Sequence, residues 1–113
     1  MSFNWKDYVT FAEDCLQRNG EACLRSSISR AYYGIFCIAR NRKGYMGHVG
    51  HLKVIDLYKD STNQDEQNIG QILDELRRKR NKADYEENFR IDRLLAERVV
   101  GKAKHALTLM GFP

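Results

Sequence analysis

The stretch of sequence that decides the fold is EACLRSSISRAYYGIFCIARN, residues 21–41. Its apolar residues recur at intervals of three and four, which is the spacing of one face of an α-helix. The apolar face is wide, as is typical of a central helix that packs against several neighbours. The residues that we expect to face inward are Leu24, Ile28, Ala31, Tyr32, Ile35, Phe36, Ile38 and Ala39.

Four further segments share this helical spacing and are separated by glycine or by clusters of polar turn residues. The first predicted helix begins after Asn4, a favourable N-cap, and ends at Asn19-Gly20. The other predicted helices span residues 51–59, 64–81 and 91–110, and the connections are residues 44–50, 60–63 and 85–90. Short connections place consecutive helices side by side. The sequence therefore predicts an all-α fold, an up-and-down (antiparallel) bundle of four main helices plus a short extra helix, as a single domain over residues 1–113.

The inward faces of these four helices follow from the same spacing. Each helix has a polar side opposite its apolar side, so each is expected to bury one face only. The residues expected to face inward are Trp5, Tyr8, Ala12, Cys15, Leu16, Leu52, Ile55, Tyr58, Ile69, Ile72, Leu73, Leu76, Ile91, Leu94, Leu95, Val99, Ala103, Leu107 and Met110.

The composition excludes several classes of protein. The 113 residues are 42% hydrophobic and 30% charged, which is too apolar for a disordered chain. No apolar run approaches the roughly 18 residues of a membrane-spanning helix, and the N-terminus lacks the pattern of a secretory signal. The three cysteines, Cys15, Cys23 and Cys37, form no CxxC pair. We therefore expect a cytoplasmic protein with no membrane association, no metal and no cofactor.

A second notable stretch is RRKRNKADY, residues 77–85, in which five of the six residues from Arg77 to Lys82 are cationic. Cations at the C-terminal end of a helix interact favourably with its macrodipole. Such a cluster also suits phosphate binding, because the guanidinium fork pairs with two phosphate oxygens. These residues alone support a capped, solvated helix end and an anion site equally. If the helix continues, Arg80 and Asp84 meet one turn apart, and Asp84 then holds Arg80 in place.

The polar positions of the central helix and the histidines give weaker signals. Ser26, Arg30 and Tyr33 form a polar stripe on residues 21–41, which by itself favours a solvated face with Tyr33 partly packed. His48 and His51 form an HxxH pair in a glycine-rich connection, but zinc would need two further ligands that the nearby sequence does not supply. We interpret both histidines as incidental residues of a surface loop.

Two motifs taken together resemble a known family. The residues SRAYY, 29–33, followed by RNKADY, 80–85, are similar to the HEPN domain, and most closely to its small stand-alone branch with R-A-Y-Y-A and R-x-x-A-D-Y. The resemblance extends from the first helix to about Met110. Position 34 is Gly where the family commonly has Ala, a substitution that permits close backbone approach at a cost in helix propensity of about 1 kcal/mol.

The resemblance implies a helical bundle that forms homodimers. Many HEPN proteins are prokaryotic toxins or defence proteins, often encoded beside a minimal nucleotidyltransferase partner, and the active branch cuts RNA without a metal through an R-x(4–6)-H motif from each subunit. Here Ala83 stands where that His should be if Arg78 is the motif Arg, and no His stands at the motif spacing after Arg80. Tyr85 matches a motif Tyr that accepts a nucleotidyl group in some toxins, and Asn81 matches a polar residue that often follows the Arg.

The absent His limits the expected chemistry. Metal-independent RNA cleavage needs a base for the 2′-hydroxyl proton and a cation for the charge on the phosphorane. Arg78 or Arg80 could supply the cation, but Ala83 cannot supply the base, and a carboxylate such as that of Asp84 is ordinarily a weak base at neutral pH. We therefore expect a poor ribonuclease or none.

The sequence thus predicts a dimeric toxin- or defence-type HEPN module that binds nucleotide or RNA phosphate and works with a partner protein. One alternative is a metal-independent endoribonuclease in which Arg78 or Arg80 acts with Asp84 or Tyr85, and the other is a purely structural dimerisation module. Tyr85 is the candidate for modification. The expected nucleotide- or RNA-binding residues are Arg30, Tyr33, Arg77, Arg78, Arg80, Asn81 and Lys82.

Overall fold

A computed structural model describes residues 2–45, 47 and 49–113 of the chain. The part that it describes contains five α-helices and no β-strand, which confirms the predicted all-α bundle. The helices are α1 (Lys6–Leu16), α2 (Glu21–Arg42), α3 (His51–Lys59), α4 (Gln64–Tyr85) and α5 (Arg93–Leu109).

Helix α2 lies at the centre of the bundle and packs against α1, α4 and α5, while α3 packs mainly on α4. This arrangement explains why the apolar face of α2 is wide, since that face must pack against three neighbouring helices. All eight residues expected to face inward contribute to the core, with only Leu24 half-buried. Tyr58 of α3 reaches the same helix, and its hydroxyl donates a hydrogen bond of 2.9 Å to the buried carbonyl of Ala39.

The prediction that a residue faces inward is wrong at two positions. Leu52 is 53% exposed and Leu94 is 71% exposed. In α3 the buried positions are Val54, Ile55 and Tyr58, and residue 52 lies about 200° around the helix from residue 54. In α5 the side chain of Asp92 caps the helix by accepting a hydrogen bond from the Leu95 N–H. The helix therefore starts after Ile91, and Leu94 falls in its solvent-facing first turn.

Several helix ends also differ from expectation, and α1 ends at Leu16 instead of at Asn19-Gly20. Helix α1 begins at Lys6, whose N–H donates to the Asn4 side chain at 3.1 Å, so Asn4 caps the start as expected although the helix begins one residue later. Helix α4 continues to Tyr85 instead of ending at Asn81. The extra turn places Arg77 and Arg80 one to two turns inside the helix, and not at its end.

Glycines permit close helix contacts at two places. A Cβ added at Gly34 would lie 2.7 Å from Val9 Cγ2 and 3.1 Å from the carbonyl oxygen of Trp5. The close backbone approach expected at this position is therefore present where α1 crosses α2. A Cβ added at Gly70 would lie 2.7 Å from the backbone nitrogen of Lys59, so α3 and α4 are in near backbone contact.

Because of this close contact, replacing Gly70 by alanine is expected to destabilise the fold, although alanine is the better helix former. We expect Gly70→Ala to lower the free energy of unfolding by about 1–3 kcal/mol, because backbone atoms must move to admit the methyl group. The matched control is Gly101→Ala in α5, where an added Cβ meets nothing within 4 Å and the gain in helix propensity should raise stability by about 0.5–1 kcal/mol. Urea denaturation measures both, and effects of the same sign would contradict the close approach.

Candidate functional site

Arg80 is the one charged side chain buried among the residues that the structure describes, at 7% exposure. It lies on α4 beside the buried residues Leu73, Leu76 and Ala83. Its Nε is buried without a hydrogen-bond partner, and no carboxylate in the described part of the chain forms an ion pair with it. A guanidinium held in this way retains its desolvation cost, since no counter-charge offsets it.

Three tyrosine rings surround the Arg80 guanidinium. Its Cζ lies 5.1 Å from the ring centroid of Tyr33, 5.4 Å from that of Tyr32 and 6.0 Å from that of Tyr85. Each ring offers a cation–π interaction worth about 0.5–2 kcal/mol. Tyr32 is fully buried and forms the floor of this site, whereas Tyr85 is 74% exposed and forms its outer wall. The rings hold the guanidinium in position without neutralising its charge.

The expected pairing of Arg80 with Asp84 is not present among the described contacts. Helical geometry does persist to Tyr85, so the two residues are one turn apart. The Asp84 carboxylate, however, accepts a hydrogen bond of 3.1 Å from the Ser29 hydroxyl on α2. Asp84 therefore ties α4 to α2 and does not hold Arg80.

His51, which was predicted to be an incidental surface residue, is the first residue of α3 and is half-buried beside this site. Its Nδ1 lies 2.6 Å from the Tyr32 hydroxyl oxygen, and its ring stacks on Phe36 with centroids 4.1 Å apart. Burial lowers the His51 pKa, and the charges of Arg80, Arg77 and Arg40 lower it further. The other member of the HxxH pair, His48, lies outside the described residues.

The lowered His51 pKa makes stability depend on pH. In the unfolded chain the imidazole titrates near pH 6.5, and in the folded chain it titrates lower. As the pH falls, the unfolded state binds the proton first, so the free energy of unfolding should decrease from about pH 6.5 down to the folded pKa. Urea denaturation between about pH 7.5 and 5.5 measures the decrease, and His51→Gln should flatten it. An unchanged pH dependence in that variant would contradict the prediction.

The other members of the basic segment have different surroundings. Arg77 is half-buried on the side of α4 where its charge acts on His51. Arg78 points to solvent with 60% of its side chain exposed and pairs with Asp74 at 2.9 Å. Lys82 lies 3.7 Å from Glu86, Asn81 is half-buried, and Arg30 of α2 lies 5.0 Å over the ring of Tyr8 in α1. Tyr33, Arg77 and Arg80 are therefore the predicted binding residues that are grouped around His51.

The C-terminal end of α4 is capped by a residue that the sequence analysis did not single out. The Arg25 guanidinium of α2 donates hydrogen bonds of 2.5–3.3 Å to the carbonyl oxygens of Lys82, Ala83, Glu86 and Phe89. Of the cationic segment, only Lys82 lies in the last turn of the helix. Helix capping consequently accounts for Arg25, and it does not account for Arg77 or Arg80.

Two depressions border this region of α4. The first, with a volume of about 360 Å³, is lined by Glu21, Asp84 and Glu87 with Arg25 and Tyr85, so its carboxylates disfavour an anion in this depression beside Tyr85. The second, about 270 Å³ between α4 and α5, is lined by four cations and one carboxylate: Arg78, Lys79, Arg98, Lys102 and Glu75. Arg98 and Lys102 extend the basic surface to α5, and periodicity alone gave no signal for this because it does not specify which helix faces meet.

Across the described ranges, no group of three or more His, Cys, Asp or Glu side chains could hold a metal ion, and no helix is long and apolar enough to cross a membrane.

Comparisons with known proteins identify no relative of this chain. A scan against family models finds no match, and searches of curated proteins and of solved structures find no significant one.

Proposed function

We propose that the Arg80 site, formed by Arg77, Arg80, Tyr33, Tyr85 and His51, binds a phosphate group of a nucleotide or RNA, as a HEPN-type module. The observation that carries the proposal is the buried Arg80 guanidinium, which the described part of the chain leaves without a counter-charge. An anionic ligand would offset the desolvation cost of this group. Phosphate suits it because a guanidinium binds two oxygens in parallel.

The aromatic wall of the site favours a nucleotide over inorganic phosphate. The ring of Tyr85 is largely exposed next to the guanidinium. Exposed aromatic rings beside cationic groups are the usual platform on which proteins stack unpaired bases, at about 1–3 kcal/mol per base. A separate group of cations, Arg78, Lys79 and Arg98, lines the groove between α4 and α5 and is available to further phosphates of an RNA strand.

Homodimerisation is the second part of the proposal. Tyr85 and Arg78 are exposed, and Tyr33 is half-buried, so this surface is available to a second copy of the chain. We expect light scattering at micromolar concentration to give the mass of a dimer, with an interface that includes the faces bearing Arg30, Tyr33 and residues 77–85. A monomeric mass across that range would contradict this part of the proposal.

A partner protein is the third part. The proposed partner is a minimal nucleotidyltransferase, with the pair acting as a cytoplasmic toxin or defence system. The Tyr85 side chain, at the last position of α4, is 74% exposed, which leaves it accessible to a modifying enzyme. The test is to co-express the protein with a minimal nucleotidyltransferase encoded beside it and to measure the mass of the wild-type protein and of Tyr85→Phe. We expect an added nucleotidyl group on the wild type only, and a modification that persists in the variant would exclude Tyr85 as its site.

A metal-independent ribonuclease is the competing function, and it would use residues beside Arg80 for proton transfer. Asp84 is exposed and Tyr85 borders Arg80, so each could approach a bound phosphodiester. Ala83, however, is buried in the core at the α2–α4 contact, so a histidine placed there would face inward. The structural-module alternative predicts a basic cluster fully occupied by ion pairs, and Arg77 and Arg80 have none among the described residues.

The experiment that separates these functions uses a labelled RNA oligonucleotide in EDTA. We expect fluorescence anisotropy to show binding that weakens with salt, because each phosphate contact releases counterions, while gels show the RNA intact. The salt slope should fall by about one for each phosphate-binding cation removed, as in Arg77→Ala. Cleavage that Arg80→Met abolishes would favour the ribonuclease, and no binding at low salt would favour the structural module.

A further inference from the structure

His51 occupies an environment that is unusual for a histidine. Its ring stacks on Phe36 and lies edge-on to Tyr33, with centroids 4.1 and 5.9 Å apart. Tyr33 and Tyr32 are also the rings that hold the Arg80 guanidinium. The imidazole and the guanidinium are therefore neighbours across two shared rings, although they come from different helices.

Within the described part of the chain, the charged groups that act on this imidazole are all cationic. From α2 the titratable or charged groups that face it are Tyr32, Tyr33 and Arg40, and from α4 they are Arg77 and Arg80. No carboxylate is among the groups that act on its pKa. Arg40 is itself bound to uncharged oxygens, those of the Asn41 side chain and the Gly47 carbonyl. Among the described residues, the charged groups that act on the His51 pKa are thus three guanidinium groups and no carboxylate.

The hydrogen bond to Tyr32 fixes which ring nitrogen is available. The Tyr32 hydroxyl occupies Nδ1, and burial raises the pKa of this phenol, so it stays protonated. A protonated imidazole donates from both nitrogens. In the neutral form Nδ1 accepts from the Tyr32 hydroxyl and Nε2 carries the hydrogen. Protonation places the second proton on Nδ1, which then donates to the Tyr32 oxygen, so Nε2–H is the donor for a ligand in both forms and is charge-assisted only in the protonated one.

We propose that His51 is a ligand-binding residue of the Arg80 site and takes up a proton when an anion binds there. The inference rests on the proposed function, and it adds the regulation of the same site by pH. Without a ligand, the three arginines oppose a further positive charge. A bound phosphate adds negative charge that partly offsets the guanidinium groups, so the His51 pKa rises and its Nε2–H becomes a charge-assisted donor to the ligand.

The consequence is binding that strengthens as the pH falls. For one proton taken up per ligand, the affinity rises by at most about tenfold per pH unit between the pKa of the free site and that of the occupied site. A phosphodiester keeps its charge through this range, so the pH dependence reports on the protein. An imidazole that is protonated in the complex also cannot act as a base, which is consistent with binding without cleavage.

The test measures the affinity of an oligouridylate without terminal phosphates from about pH 7.5 down to 5, a range that begins above the ordinary histidine pKa and extends well below it, because the His51 pKa in the free site is lowered. The wild-type protein should bind more tightly at the lower pH, and H51Q should lose most of this dependence while it still binds. The control H105Q changes an exposed histidine of α5 and should behave as wild type. A pH dependence that is equal in H51Q and wild type would overturn the inference.

Nuclear magnetic resonance gives a second readout that does not depend on the variant folding. The Cε1–H resonance of His51 should titrate at a higher pH when the oligouridylate is bound than when the protein is free. An unchanged or lower titration midpoint would overturn the inference even if binding occurs. Failure of the proposed function looks different, because in that case Arg80→Met would leave the affinity unchanged at every pH.

Discussion

Replacing Arg80 by methionine is expected to weaken RNA binding by at least about tenfold, because hydrogen bonds to charged groups contribute about 1.5–3 kcal/mol. The same substitution should not destabilise the fold. Methionine fills the volume of the buried stem, and removing a buried charge that lacks a partner offsets the loss of the cation–π contacts with the three tyrosines. We expect the free energy of unfolding to stay within about 1 kcal/mol of wild type or to rise by up to about 2 kcal/mol.

The combination of the two readouts distinguishes a functional arginine from a structural one. Anisotropy measures the affinity, and urea denaturation measures the stability. The control Arg90→Met removes one cation from the exposed connection before α5 and should change both quantities little. If Arg80→Met destabilises the protein by more than about 2 kcal/mol and leaves the affinity unchanged, Arg80 serves the fold.

Arg25→Met should have the largest effect on stability, a loss of about 2–4 kcal/mol. The guanidinium satisfies four carbonyl oxygens at the C-terminal end of α4 and just beyond it. Its loss leaves these acceptors without their charged donor and removes a favourable interaction with the helix macrodipole. Methionine retains the packing of the aliphatic stem, so the effect isolates the charged head.

Glu21→Gln is the matched control for Arg25. Glu21 forms an ion pair of 2.8 Å with Arg25 on the exposed side of α2, and exposed pairs one helical turn apart contribute about 0.3–0.5 kcal/mol. Urea denaturation should therefore separate the two variants clearly. A loss below about 1 kcal/mol for Arg25→Met would show that solvent caps α4 equally well.

The architecture could be predicted from the sequence because periodicity and turn residues act locally. The wide apolar face of α2 identified the central helix, and the start of α4 followed from the polar connection at residues 60–63, where the Asn63 side chain accepts a hydrogen bond from the Glu66 N–H. The end of α4 could not be predicted in the same way. It depends on Arg25, a residue more than fifty positions away that meets the helix only in the folded chain.

The candidate site was predicted in part. The apolar spacing placed Tyr33 and the arginines of residues 77–80 on helices, and the resemblance to the HEPN motifs assigned the two segments to one site. Neither indicated that Arg80 turns inward while Arg78 points to solvent. That difference follows from the phase of α4, which its buried leucines determine. His51 could not be found from sequence, because its neighbours Tyr32 and Phe36 lie on another helix.

Whether a ligand reaches the Arg80 side chain is most directly measured by its own Nε–H resonance, assigned by its disappearance in Arg80→Met. This group is buried and has no hydrogen-bond partner among the described residues, so its signal should be protected from solvent exchange. Titration with the oligouridylate should shift the signal in proportion to the bound fraction. A signal that stays unchanged at saturation, while other resonances move, would show that the RNA binds elsewhere and would contradict the proposed site.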